Sequence, residues 1–96
     1  MNLGINIRNI RKRRGQTQKE FASLCGISQT YLSKIEGNIK EPNLSTLRII
    51  SEKLEIPLPI LFFLSLTDDD IDEQKRDAFK IIGPSVNSLV NEFFAV

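Results

Sequence analysis

Ninety-six residues, 41% hydrophobic and 26% charged, suffice for one domain with a modest core and exclude a disordered composition. The absence of His and the single cysteine, Cys25, exclude His-based catalytic pairs, zinc sites and internal disulfides, and point to a reducing, cytoplasmic setting. The net charge of +1 conceals a division: residues 1–40 hold eight Lys/Arg against two acids, net +6, and residues 41–96 hold five against ten, net −5. Such a split suits a chain with one face for a polyanion, although solvated charge clusters would also produce it.

In chain order, Ile5, Ile7, Ile10 and the run Arg11-Lys12-Arg13-Arg14 predict a first helix over 3–14, stopped by Gly15. Thr17 is an N-cap for a second helix, and Glu20 three residues later completes a capping box. Phe21, Ala22 and Leu24 form its buried side, and Gly26 ends it in a left-handed cap. Ser28 caps a third helix whose Leu32 and Ile35 point inward, and Gly37-Asn38 stop it. A loop to Pro42 precedes a fourth helix, about 44–54, with Leu44, Leu47, Ile50 and Leu54 at helical spacing. After Ile56-Pro57-Leu58-Pro59 a short fifth helix, about 59–65, adds Ile60, Leu61 and Leu64 to the core.

Residues 66–70 read as a hinge and a helix start, because acids in a first turn suit the helix dipole. Ile71, Ala78, Phe79 and Ile82 share a face up to Gly83-Pro84, where a break is expected. Ser85 then caps a final helix striped by Val86, Leu89, Val90, Phe93 and Phe94. The N-terminus lacks a signal-peptide pattern, and the longest apolar run, Ile60–Leu64, is too short for a bilayer, so no membrane partner is expected.

The most informative stretch is 17–36: two short helices around Gly26, the second with small polar and basic side chains outside. That is the form of a helix that enters the major groove of DNA. The order Arg11-x-x-x-Gly15, Thr17-Gln18, Phe21-Ala22, Gly26-Ile27-Ser28, Tyr31-Leu32-Ser33-Lys34-Ile35-Glu36, Pro42, Leu44-x-x-Leu47 resembles the phage-repressor/Cro-type (XRE-like) helix-turn-helix family. The resemblance covers residues 5–65. It implies an all-α fold, with a five-helix DNA-binding domain over 1–66 and an extension of one or two helices over 67–96.

The resemblance also implies roles. Gln29, Thr30 and Lys34 match positions that reach base edges. The chemistry agrees, since Gln can pair with adenine, Lys can donate to guanine and the Thr methyl can touch thymine. Gln18 matches a residue that contacts the DNA backbone or supports the reading helix. Thr17, Ser28, Ser33, Asn38, Lys40, Arg13 and Arg14 are candidates for the DNA backbone. Tyr31 either stacks on the sugar-phosphate edge or fills a gap against the second helix. Arg11 and Glu36 match an internal salt bridge bracing the first helix against the end of the third. The family shows a polar residue and then Gly after Glu; here Gly37-Asn38 invert that order, which places Asn38 in the left-handed conformation.

Catalysis is not expected: no nucleophile–base pair exists without His, and no Gly-rich phosphate loop appears. Asp68, Asp69, Asp70, Asp72, Glu73 and Asp77 lack the spacing of a calcium loop, so neither metal nor cofactor is expected. The stripe of the last helix either caps the core or pairs with a second copy; pairing is favoured, with Val86, Leu89, Val90, Phe93 and Phe94 as the dimer interface. The expected protein is a sequence-specific regulator of transcription, a repressor acting as a homodimer on near-palindromic duplex DNA. The alternatives are an antitoxin or restriction-modification controller that holds a second protein through the extension, or an interaction module without DNA binding. Operator sequence, half-site spacing and regulated genes are not written in the chain.

Overall fold

The computed structural model describes residues 1–94, and among these it is all-α. Its helices are α1 (Leu3–Arg13), α2 (Gln18–Cys25), α3 (Gln29–Glu36), α4 (Leu44–Lys53), α5 (Leu58–Leu64) and α6 (Arg76–Phe94), with two 3-10 turns, Asp68–Asp70 and Glu73–Lys75, before α6. No helix among the described residues is long and apolar enough to cross a membrane.

Local chemistry sets the boundaries of the short helices. Thr17 Oγ1 accepts the Glu20 N–H at 3.1 Å and donates to Glu20 Oε1 at 2.9 Å. Ser28 Oγ accepts the Tyr31 N–H at 3.0 Å, and Asn43 Oδ1 accepts that of Thr46 at 2.8 Å. Each oxygen satisfies one of the N–H groups that a helix start leaves unpaired. Gly26 closes α2 at φ +69°, and the N–H groups of Gly26 and Ile27 turn back to the last carbonyls of α2. Eight-residue helices are too short to be stable alone, so packing must hold α2 and α3.

That packing is one core of Ile7, Ile10, Phe21, Leu32, Ile35, Ile50, Leu54, Ile56 and Leu61, all essentially inaccessible. Two expectations are corrected here. Leu24 is 52% exposed, and Cys25 takes its place inside α2. Leu44, at the first position of α4, is exposed; Leu47 and Ile50 carry the buried side. Burial pushes the Cys25 thiol up from 9.0 to about 11, partly offset by the nearby positive charge of Lys53.

Two details position α3. Gly4 abuts the end of that helix so closely that a Cβ would run into the carbonyl oxygen of Ile35. Asn38, at φ +58°, holds the left-handed conformation just beyond α3, and its Oδ1 accepts the Gly4 N–H at 3.2 Å. The start of α1 and the end of α3 are thereby fastened together.

The extension is one helix. The break expected at Gly83-Pro84 does not occur, and Ser85 lies inside α6 rather than capping a new helix. A proline ring normally crowds the Cβ of the residue before it, and Gly83 has none, which relieves one of the obstacles to a continuous helix. It continues without the N–H of Pro84, which removes the bond to the Lys80 carbonyl. Gly83 and Val90 are buried, Val86 is half-buried and Phe94 packs against the core. Leu89 and Phe93 point outward at 54% and 77% exposure, in line with exposed Ala78, Ile82 and Ser85. The five-residue stripe is therefore split. Val90 and Phe94 serve the chain's own packing, because they lie about a quarter-turn around the helix from Leu89 and Phe93.

Candidate nucleic-acid interface

Behind α3 lies a buried polar cluster. Arg11 Nε donates to Glu36 Oε2 at 2.7 Å and Arg11 Nη2 to Glu36 Oε1 at 2.9 Å, a two-pronged pair that is almost fully buried. Arg11 Nη1 donates to the Gln16 carbonyl at 2.7 Å. Gln18 Nε2 donates to Glu36 Oε1 at 3.0 Å. One carboxylate thus ties α1, the entry to α2 and the last turn of α3 together. Removing either charge would strand the other in the interior, so the cluster fixes geometry strictly.

In front, α3 turns Gln29, Thr30, Ser33 and Lys34 to solvent, while Leu32, Ile35 and Glu36 face inward. A helix-turn-helix model matches residues 7–61, more than half of the chain. The chain belongs to the repressor/Cro-type helix-turn-helix family. It is also similar to the HTH-type transcriptional regulator SlrR of Bacillus subtilis (strain 168), with 39% identity over 61 residues. That match takes in 62% of this chain and 40% of SlrR, so the chain spans well under half of that relative.

Other residues singled out from the family pattern have particular placements. The amide nitrogen of Gln18 is committed to Glu36, which makes this side chain a support of α3. Thr17 and Ser28 use their hydroxyl oxygens as caps. Asn38 directs its carbonyl oxygen at Gly4. Tyr31 is half-buried and packs against the core. Arg14 Nη1 lies 3.5 Å from Glu55 Oε2, and Arg13 lines a hollow with Asn87 and Asn91 of α6, on the tail side of the molecule. Four consecutive basic residues wrap around α1, so the run does not aim as a unit.

The family's loop after α3 has its own character here. The N–H groups of Gly37, Asn38, Ile39 and Lys40 all return to carbonyls of Ser33, Lys34 or Ile35, at 2.8–3.1 Å. Lys40 is exposed at its end. Sequence reasoning missed Arg8, an exposed cation of α1 that borders a hollow with Gln18, Ser33 and Gly37. Its signal was the spacing to Arg11, three residues on and one helical turn away.

Proposed function

We propose that the protein is a sequence-specific, double-stranded-DNA-binding regulator of transcription, with α3 lying in the major groove. The observation that carries this reading is the pairing of an exposed polar and basic face with a buried brace. Gln29, Thr30 and Lys34 face solvent, and Arg11, Glu36 and Gln18 hold the helix from behind. Ser33, Lys40 and Arg8 supply contacts at the DNA backbone, which fix register without reading sequence. Binding rather than catalysis is the activity.

The protein acts as a homodimer and represses by occluding a promoter, in the cytoplasm of a bacterium or in the service of a phage. The outward row of Ala78, Ile82, Leu89 and Phe93 on α6 supports self-association, because an apolar line of this length favours burial. A two-fold pair sets two reading helices about 34 Å apart on a near-palindromic site. The same row also suits a second protein, as in an antitoxin; copurification of a partner with the full chain, and a monomeric mass without it, would favour that reading.

Selection from a random duplex pool tests the whole. Wild-type protein should enrich one near-palindromic sequence, with affinity falling steeply as salt rises. Replacing Gln29, Thr30 and Lys34 with Ala should abolish the enrichment while leaving the fold intact by circular dichroism. Enrichment that survives the replacement would defeat the assignment.

A further inference from the structure

The outward strip of α3 runs through Gln29, Thr30, Ser33 and Lys34 and ends at Gly37, which has no side chain. Ile39 lies over that gap: a Cβ placed on Gly37 would stand 3.7 Å from Ile39 Cδ1. Ile39 is 76% exposed and borders the hollow that holds Arg8, Gln18 and Ser33. An aliphatic side chain thus prolongs a polar reading face.

Its surroundings narrow what it can meet. Each backbone N–H from Gly37 to Lys40 is already bonded to α3, so this loop presents side chains rather than amides. Arg8, Lys34 and Lys40 are exposed cations near Ile39; Glu36 is neutralised by Arg11, and the one other acid close by, Glu41, shares a second hollow with Ile39 and Lys40, so cations outnumber free acids around Ile39. Basic surroundings suit a polyanion. The loop is tied down, so little ordering entropy opposes contact.

We infer that Ile39 is an apolar contact to duplex DNA, packing against a thymine methyl in the groove or a deoxyribose on its edge. The methyl is the apolar group that base edges display in the major groove. This inference rests on the reading of α3 as the helix that enters that groove.

The test uses the full chain and the duplex that wild type selects from a random pool. Ile39→Ala should weaken binding about 5–30-fold, as expected for uncovering the lost side-chain atoms. The slope of affinity against salt should stay unchanged, because an apolar contact releases no counterions, whereas Lys40→Ala should lower that slope by about one. Each thymine of the duplex is then replaced by deoxyuridine. A position where wild type weakens and Ile39→Ala does not identifies a methyl contact. A loss that persists on every uracil duplex identifies the sugar. Ile39 is solvent-exposed, so the variant should melt with wild type, and a melt confirms it. Ile39→Ala binding within about twofold of wild type overturns this inference and leaves the α3 reading standing. Wild type that enriches no duplex overturns both.

Discussion

The body from α1 to α5 and the single helix α6 differ in how much of their apolar side chains they bury. In the body, Ile7, Phe21, Leu32, Ile50 and Leu61 vanish into one core, and the starts of α2, α3 and α4 are closed by Thr17, Ser28 and Asn43. In α6 only Gly83 and Val90 are buried, while Ile81, Ile82, Leu89 and Phe93 face solvent. The contrast teaches that the body is organised to hold α3 still, whereas α6 leaves a row of apolar side chains in solvent.

The sharpest way to break this contrast is to attack the brace. Glu36→Ala leaves Arg11 buried without its partner and should cost about 3–5 kcal/mol in urea unfolding. A loss under about 1 kcal/mol would mean the body does not depend on that cluster. Next comes the cap of α3. Ser28→Ala should cost about 1 kcal/mol, with a matching drop in melting temperature.

Leu89→Asp with Phe93→Asp should leave the helical content of the chain unchanged, since both side chains are exposed within one chain. Light scattering should show the mass falling from dimer to monomer; an unchanged dimer mass would remove α6 as the pairing surface. Truncation after Leu66 should give the same monomer with a folded body, and a truncated chain that stays dimeric would place the interface in the body instead.

The smallest effect concerns Cys25. Its thiol pKa is raised to about 11 in the folded protein, so folding favours the neutral form. That contribution is complete below the unfolded value, near 9, and is lost as pH rises toward 11. Thiol-reactive dyes should therefore label the native protein slowly at pH 8 and rapidly once it is unfolded.

Much of the body was legible because its signals are local. Thr17 with Glu20, Gly26, and Ser28 mark boundaries through bonds spanning three or four residues, and the structure puts helix ends there. Leu24 was misplaced because an eight-residue helix holds too few turns to separate its two faces, and Cys25 fits the inner one. Gly83-Pro84 misled because proline usually stops a helix through its missing N–H and its clash with the carbonyl four residues back, yet α6 runs on through it. In the candidate interface, the exposed face of α3 followed from helical spacing. The bond from Gln18 to Glu36 and that from Gly4 to Asn38 did not, since they join residues 18 and 34 apart. Arg13 and Arg14 diverged because a run of like charges carries no direction.

Gly4 works as a mechanical stop. Nothing separates its α-carbon from the end of α3, so the stand-off between those two helices is set by a missing methyl group. Any side chain there would force the start of α1 and the end of α3 apart while leaving Gln29, Thr30 and Lys34 chemically intact. A residue with no side chain therefore sets how near α1 comes to the helix that carries three exposed polar ones.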